Sequence, residues 1–165
     1  MKYILFDCFG TVFNMESVPK DDLRYYGKVL KAPIWEPLNF PSHWQNIPAH
    51  PDSKDGIDKL KSLGLTVVAL SNAPKELMKT LSANNNISWN HIIGLEKYKI
   101  YKPNPLAYLT ACAELDCKPS ECLMITANET FGDLEGSKFV GMHSKLIRNE
   151  TGLDIIGLAD NICNI

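Results

Sequence analysis

An aspartate stands directly after a short apolar run near the start of the chain, in the sequence Phe6-Asp7-Cys8-Phe9-Gly10-Thr11. A carboxylate at the end of a strand faces the crevice above a sheet, where it can attack an electrophilic centre and form a covalent ester or acyl phosphate. Gly10 permits a tight turn, and Thr11 can donate a hydrogen bond to the carboxylate. On its own the segment is equally compatible with an aspartate that caps the next turn.

Two further segments place polar groups where they could act together with Asp7. Ser71 and Asn72 follow the apolar run that ends at Leu70, and a hydroxyl next to the N–H groups of a helix start suits an anion. Lys102 lies between two proline-stiffened turns in the stretch YKPNPLAY, and its ammonium group could neutralise a nucleophile and its substrate. Taken singly, the first segment is also a helix cap and the second a surface lysine.

A fourth polar segment, residues 126–133 (TANETFGD), contains Asn128 and Asp133 and connects a predicted strand to a predicted helix. Amide and carboxylate groups in such a loop can bind a ligand or a metal ion, and they can equally cap the helix that follows. The segment therefore adds a candidate site without identifying its chemistry.

The elements that must position these residues alternate along the chain. Short apolar runs predict strands buried on both faces, and helical spacing of apolar residues predicts helices between them. The predicted strands are residues 3–6, 66–70, 91–94, 122–126 and 144–147, and the predicted helices are residues 19–30, 53–63, 74–83, 105–115 and 132–140. Asn72 is a good N-cap candidate for the helix that begins at Pro74.

This alternation predicts an α/β fold with a mostly parallel sheet, in which ligands bind at the carboxyl ends of the strands. At 165 residues the chain is expected to form a single domain, residues 1–165. The segment at about 14–50 breaks the pattern, because its second half is rich in proline and carries Trp35, Phe40 and Trp44. We expect it to be a short, irregular insert ordered by its aromatic residues.

In their order and spacing, the four segments resemble the motifs of the haloacid dehalogenase-like hydrolase superfamily. The resemblance runs from Tyr3 to about Ile147, apart from the insert, and it implies a three-layer Rossmann-like sheet with a reduced cap. It also implies that Asp7 is the covalent nucleophile and that Ser71 and Lys102 belong to the second and third motifs. Residues 136–142 (GSKFVGM) resemble the stretch after the fourth motif and put Asn128 and Asp133 on its two polar positions.

The chain departs from the metal-dependent phosphatases of this superfamily at two positions. Those enzymes carry a second aspartate where this chain has Phe9, and an acidic metal ligand where it has Asn128. A phenyl ring cannot transfer a proton, and an amide is a weaker ligand for Mg²⁺ than a carboxylate. Both changes point away from magnesium-dependent phosphoryl transfer.

The first motif, Asp-Cys-Phe-Gly-Thr-Val, looks instead like that of the 2-haloacid dehalogenases, which use no metal. By that resemblance Asp7 displaces a halide from carbon and water hydrolyses the resulting ester, with no cofactor. Lys102 offsets charge, Thr11 supports the nucleophile, and Asp133 orients or activates the water. Ser71 and Asn72 hold the substrate carboxylate, and the other expected substrate contacts are Phe9, Asn128 and Tyr108.

The dehalogenases use an arginine from a larger cap to receive the departing halide. The chain has two arginines, and Arg24 lies in the insert where it could take this role. It could equally be a surface residue on an amphipathic helix.

Two alternatives remain at this stage. One is a phosphatase of a small phosphoester, with Mg²⁺ held by Asp7, the carbonyl of Phe9, Asn128 and Asp133. The other is a catalytically degenerate binding protein whose insert or sheet edge contacts a partner.

Composition narrows the partners. A net charge of −2 gives no general attraction to nucleic acid, and no apolar run approaches the ~20 residues that span a bilayer. We therefore expect a small-molecule substrate and a cytoplasmic protein without an N-terminal signal, and a homodimer is possible because a partner subunit can complete a small cap. The five cysteines are expected to be reduced, and the five-residue spacing of Cys112, Cys117 and Cys122 is typical of no metal site.

Overall fold

The computed structural model describes residues 1–165 and contains one five-stranded, entirely parallel sheet. Its strand order is β3-β2-β1-β4-β5. The strands are β1 (Tyr3–Phe6), β2 (Thr66–Ser71), β3 (His91–Gly94), β4 (Cys122–Thr126) and β5 (His143–Leu146). The helices are α1 (Lys20–Leu30), α2 (Ser53–Ser62), α3 (Lys75–Asn84), α4 (Pro105–Leu115), α5 (Asp133–Phe139) and α6 (Ile155–Asp160).

Successive strand residues point to opposite sides of the sheet. Because the strands carry apolar residues on both sides, helices cover both faces. Ile4 and Phe6 of β1 belong to one core cluster together with apolar residues of α2, α3 and α6. Leu5 belongs to a second cluster with residues of α4, and α5 packs beside α4. The predicted three-layer α/β fold with a parallel sheet is therefore confirmed.

Each predicted element is observed within one or two residues, and α6 was not predicted. The two edge strands are less buried than expected. β3 and β5 each pair with a single neighbour, and all four residues of β5 are partly or fully exposed. The prediction that every strand is buried on both faces is wrong for β5, since an edge strand has sheet on one side only.

The insert is attached to the sheet by a short antiparallel contact at its base. The N–H of Asn14 donates to the carbonyl of Pro48 at 2.8 Å, and the N–H of His50 donates to the carbonyl of Val12 at 2.9 Å. Within the insert, the side chain of Asp22 accepts hydrogen bonds from Trp44 Nε1 at 2.9 Å and from His43 Nε2 at 2.7 Å. These bonds tie α1 to the segment that carries Trp44, whose side chain is fully buried.

None of the helices combines the length and the apolar character that crossing a lipid bilayer requires.

Candidate active site

Asp7 lies at the carboxyl end of the central strand β1, where its N–H donates to the carbonyl of Ile125 in β4 at 2.9 Å. Its Oδ2 atom accepts hydrogen bonds from the hydroxyl of Thr11 at 3.0 Å and from that of Thr126 at 3.3 Å. Gly10 takes a positive φ of 84°, so the loop after β1 turns back and brings Thr11 to the carboxylate. The side chain of Asp7 keeps 15% of its surface exposed, so it is oriented but still accessible.

Lys102 bridges two carboxylates at this end of the sheet. Its Nζ atom lies 3.0 Å from Asp7 Oδ1 and 3.0 Å from Asp133 Oδ2. The side chains of Lys102 and Asp133 are 1% and 0% exposed, so water screens the cluster weakly. Two carboxylates and one ammonium leave the group with a net charge of −1.

Tyr108 and Gly136 fix the position of Asp133. The buried hydroxyl of Tyr108, in α4, donates to Asp133 Oδ1. A Cβ atom at position 136 would lie 2.7 Å from a ring carbon of Tyr108 and 2.7 Å from the carbonyl oxygen of Pro103. Glycine at position 136 therefore lets α5 approach α4 closely enough for Asp133 to reach both Tyr108 and Lys102.

The charges of the cluster depend on one another. Burial raises the pKa of Asp133, the nearby Asp7 carboxylate raises it further, and Lys102 opposes the shift. Burial alone would lower the pKa of Lys102, but the carboxylates of Asp133 and Asp7 outweigh it and raise the pKa above the ordinary lysine value. Lys102 therefore stays protonated throughout the neutral range, and Asp133 binds a proton more readily than an ordinary aspartate.

Asn72 holds the main chain of Lys102. Its Nδ2 donates to the carbonyl of Lys102 at 3.1 Å, and its Oδ1 accepts from the N–H of Lys102 at 2.7 Å. The expectation that Asn72 caps α3 is wrong, because the N-cap residue is Pro74 and no side chain caps that helix. With both ends of its amide engaged, Asn72 positions the lysine. Ser71 is buried beside it, and its hydroxyl oxygen accepts from the N–H of Ala73 at 3.2 Å.

Asn128 organises its own loop. Its Oδ1 atom accepts from the N–H groups of Thr130 and Phe131, both at 2.9 Å, and from the hydroxyl of Thr130 at 3.2 Å. The side-chain oxygen that was expected to meet a substrate or a metal therefore satisfies the turn before α5.

Phe9 is part of an aromatic cover formed by Phe9, Tyr26, Phe40 and Trp44. Its ring centroid lies 5.1 Å from that of Trp44, 5.7 Å from that of Phe40 and 6.1 Å from that of Tyr26. Tyr26 was not predicted as a site residue, but burial, with an added contribution from the Asp7 carboxylate, raises the pKa of its phenol. The insert thus brings a hydroxyl and a set of rings to the approach to Asp7, and its aromatic composition was the available sequence signal.

Arg24 does not reach this site. Its guanidinium pairs with Asp21 one turn earlier on α1, at 3.0 Å, and 76% of its side-chain surface is exposed. The candidate role of Arg24 as a site residue is therefore not realised in this arrangement, because it lies on the outer face of α1.

The second arginine, Arg148, does lie beside the loop after β1. Its Nε donates to the carbonyl of Thr11 at 2.8 Å, and its two terminal nitrogens bind the Asp52 carboxylate at 2.9 and 3.0 Å. Sequence reasoning missed Arg148, since no motif marks it.

The donor set does not suit Mg²⁺. Each carboxylate oxygen of Asp7 and Asp133 already accepts a hydrogen bond from Lys102, Tyr108 or a threonine hydroxyl. The ammonium of Lys102 also lies between the two carboxylates and already supplies positive charge to both. Mg²⁺ prefers a near-octahedral set of oxygen ligands. Only Asp7 and Asp133 offer carboxylates here, both are already paired with Lys102, and the side-chain oxygen of Asn128 serves its own loop.

Two cavities open on either side of the Asn128 loop. One, of about 410 Å³, is bordered by Lys102, Asn128 and residues of α1 and its C-terminal end. The other, of about 350 Å³, is bordered by Phe9, Gly10, Asn128 and Arg148. A larger and mainly apolar cavity of about 500 Å³ lies between the chain termini, beside Met1 and Ile165. This cavity contains no charged cluster, whereas the first two border Lys102 and the loop that follows Asp7.

Comparisons with known proteins identify a family and several similar proteins. The model of the haloacid dehalogenase-like hydrolase family matches residues 42–130. The chain is 32% identical over 87 residues to (S)-2-haloacid dehalogenase 1 of Pseudomonas sp. (strain CBS-3), covering 52% of this chain and 38% of that protein. It is 29% identical over 111 residues to (S)-2-haloacid dehalogenase 4A of Burkholderia cepacia, covering 66% of this chain and 47% of that protein.

The chain thus spans less than half the length of these two relatives. Among solved structures, it resembles a defluorinating L-2-haloacid dehalogenase with a TM-score of 0.80 and 21% identity, over 99% of this chain and 95% of that one. That likeness concerns the fold. The family match covers more than half of the sequence, and this chain belongs to the haloacid dehalogenase-like hydrolases.

Proposed function

We propose that this chain is a metal-free hydrolase that cleaves the carbon–halogen bond of a small 2-halo acid through a covalent ester on Asp7. The observation that carries the proposal is Lys102, whose ammonium bridges Asp7 and Asp133 at 3.0 Å each. This arrangement supplies positive charge next to the nucleophile without a metal ion.

In the first step the carboxylate of Asp7 attacks the carbon that carries the halogen. A carbon–oxygen bond forms, the carbon–halogen bond breaks, and the halide leaves with the electron pair. Thr11, Thr126 and Lys102 orient the attacking carboxylate through the hydrogen bonds already formed. This pre-orientation lowers the entropic cost of reaching the reactive geometry.

In the second step water attacks the carbonyl carbon of the Asp7 ester. Asp133 accepts one proton of the water and returns it to the alkoxide that leaves as the ester bond breaks. The second proton passes to solvent, and a 2-hydroxy acid and the free Asp7 carboxylate result. Each carboxylate oxygen has two lone pairs, so Asp133 can take the proton while it holds Lys102 and Tyr108. Its raised pKa makes it a better base than an exposed aspartate.

A 2-halo acid is itself an anion, and unpaired N–H groups support its binding. The N–H groups of Cys8, Phe9 and Asn72 donate to no acceptor of the chain. They follow β1 and β2, which are adjacent in the sheet. These N–H groups and the Ser71 hydroxyl can donate hydrogen bonds to an anionic substrate, which offsets the net negative charge of the Lys102 cluster. The cavity of about 410 Å³ next to Lys102 falls within the ~300–1,000 Å³ of ordinary small-molecule sites.

The test is halide release from the separate enantiomers of 2-chloropropionate, in the presence of EDTA, by the wild type and by Asp7→Asn. We expect release by the wild type, with preference for the (S) enantiomer that the relatives' names specify, and none by the variant. A single turnover in water labelled with oxygen-18 should put the label into Asp7 and not into the product. Label in the 2-hydroxy acid after one turnover would mean that water attacks the substrate directly and would contradict the ester.

Asp7→Asn should remain folded, since it removes one of two neighbouring carboxylates and leaves Lys102 paired with Asp133. A parallel assay with p-nitrophenyl phosphate tests the phosphatase alternative. Turnover that requires both Mg²⁺ and Asp7 would replace the dehalogenase proposal.

A second candidate is a binding protein without turnover. It is favoured by the aromatic cover over Asp7 and by the outward position of Arg24, which leaves the halide without an arginine from the insert. If no halide is released while 2-chloropropionate still raises the melting temperature of the wild type, this second function is supported.

A further inference from the structure

Three cysteines meet near the amino-terminal end of β4, at the opposite end of the strands from Asp7. Cys112 lies in the last turn of α4, Cys117 in the loop that follows, and Cys122 is the first residue of β4. The Sγ atom of Cys122 lies 3.5 Å from that of Cys117 and 4.0 Å from that of Cys112. All three sulfur atoms lie within 4.8 Å of one another.

The fold produces this cluster although the five-residue spacing did not predict one. α4 is followed by Asp116, which takes a left-handed conformation with a φ of 50°, and the chain then reverses direction. The N–H of Cys117 donates to the carbonyl of Cys112 at 3.1 Å, which places the two residues side by side. The three cysteines are therefore brought together by the chain reversal between α4 and β4, and not by a short spacing in the sequence.

The sulfur separations match those of a metal–thiolate centre. A zinc–sulfur bond of ~2.3 Å gives sulfur–sulfur distances of about 3.8 Å in a tetrahedral site and about 4.0 Å in a planar three-coordinate site. The observed distances of 3.5 and 4.0 Å lie within a few tenths of an ångström of these values. The third separation, between Cys112 and Cys117, is at most 4.8 Å, so an ion could enter if these two sulfur atoms moved closer by about 1 Å or less.

The groups around the cysteines determine which ions would fit. No histidine or carboxylate completes the cluster; the Glu121 carboxylate accepts from the N–H of Lys118 at 2.9 Å and pairs with Lys2 at 3.6 Å. The carbonyl oxygen of Lys118 lies 3.6 Å from the Sγ of Cys122. Three sulfur ligands and a weak oxygen neighbour select soft ions and disfavour Mg²⁺ and Ca²⁺.

We propose that Cys112, Cys117 and Cys122 form a three-thiolate binding site for a thiophilic cation of the Zn²⁺, Cd²⁺ and Cu⁺ class. The site is independent of the proposed dehalogenase chemistry. β4 runs from Cys122 to Thr126, whose hydroxyl contacts Asp7, so about 13 Å of strand separates the two sites. A bound ion would join the end of α4 to the start of β4 and stabilise the fold.

The experiment is a titration of the fully reduced chain with Cd²⁺, followed by the ultraviolet charge-transfer absorbance of cadmium–thiolate bonds. We expect saturation at one equivalent. Cys117→Ser removes one of three thiolates, so the absorbance per bound ion should fall by about a third. Loss of a residue that only supports a metal ligand weakens binding ~10–100-fold, and loss of a ligand itself should weaken it more. Cys163→Ser, which changes an exposed cysteine outside the cluster, should match the wild type.

Cys117 is the half-buried member of the cluster, so its serine variant is the least disruptive. Circular dichroism checks its fold, and melting curves provide a second measurement. Cd²⁺ should raise the melting temperature of the wild type and of Cys163→Ser, but raise that of Cys117→Ser much less. An absorbance band that is absent from the wild type, or equal in wild type and Cys117→Ser, would overturn the proposal.

Discussion

Two ionic clusters lie beside the loop after β1, and they differ in how completely their charges are satisfied. Arg148 and Asp52 form a one-to-one, two-pronged pair, and Asp52 Oδ2 also accepts the N–H of Ile155 at 2.8 Å. Lys102 is shared between Asp7 and Asp133, which leaves an excess negative charge and a partly exposed carboxylate. In the Arg148–Asp52 pair both charges are matched and both carboxylate oxygens are hydrogen-bonded, and the pair links α2, α6 and the loop. The Lys102 cluster keeps a charged group available for reaction.

This difference predicts that the two clusters fail in different ways. Substitutions in the Lys102 cluster should mainly reduce activity, and substitutions in the Arg148 pair should mainly reduce the free energy of unfolding.

The largest effect is expected from Lys102→Met. Loss of the ammonium leaves Asp7 and Asp133 as two neighbouring carboxylates without a counter-charge, so one of them binds a proton at neutral pH. Halide release should fall by at least ~10²-fold, the scale for loss of one charge-stabilising group in an active site. Lys31→Met, which changes an exposed lysine at the same cavity, is the matched control and should keep most of the activity. Comparable losses in both variants would mean that Lys102 has no special role.

The next effect concerns stability. Asp52→Asn removes the charged partner of Arg148 and should lower the free energy of unfolding by about 2–3 kcal/mol, the upper range for a charge-assisted hydrogen bond. Urea unfolding measures the change, and halide release per folded molecule should stay within a few-fold of the wild type. An equal loss of activity and stability would show that the two clusters are not separable.

The difference in the free energy of unfolding between the wild type and Asp52→Asn should disappear at acid pH. The pKa of Asp52 lies below its ordinary value: burial alone would raise it, but the hydrogen bonds from Arg148 and from the N–H of Ile155 outweigh burial. A lowered folded-state pKa stabilises the protein above the unfolded value of ~3.9 and loses that contribution as pH falls through the folded value. The advantage of the wild type over Asp52→Asn should therefore be complete near neutral pH and shrink below about pH 4.

The sequence alone predicted the clustered residues better than it predicted their contacts. Asp7, Lys102 and Asp133 meet as expected, because they follow adjacent parallel strands or the loops beside them. The engagement of Asn72 with the Lys102 backbone depends on a turn 30 residues away, and no local pattern encodes it. Tyr26 and Arg148 were missed because their positions follow from how the insert and the loop after β5 pack on the sheet. Such packing leaves no periodic signal.

The pH dependence of halide release should show a smaller effect. The pKa of Lys102 lies above its ordinary value because the carboxylates of Asp133 and Asp7 outweigh burial, so no alkaline loss of activity below about pH 10.4 should come from this lysine. Burial raises the pKa of Asp133, so activity should decline on the acid side with a midpoint above ~3.9. Initial rates across the pH range where the fold is intact provide the measurement. An acid midpoint below that of an ordinary aspartate would exclude Asp133 as the base.

The smallest effect is expected at Arg24, and it tests whether the insert stays where it is during turnover. The Arg24–Asp21 pair is exposed on both sides, with 76% and 86% of the side-chain surfaces accessible, so Arg24→Ala should change the free energy of unfolding by less than ~0.5 kcal/mol. Halide release should also stay the same, because the guanidinium points away from Asp7.

Tyr26→Phe is the matched comparison on the same helix: it keeps the ring of the aromatic cover and removes the hydroxyl at the approach to the nucleophile. A loss of more than ~10-fold for Arg24→Ala alone, at unchanged stability, would mean that α1 rotates to bring the arginine to the halide. The insert would then be a moving part of the catalytic site. Arg24 would belong, together with Lys102, to the residues whose loss mainly reduces activity, in contrast to the Arg148–Asp52 pair.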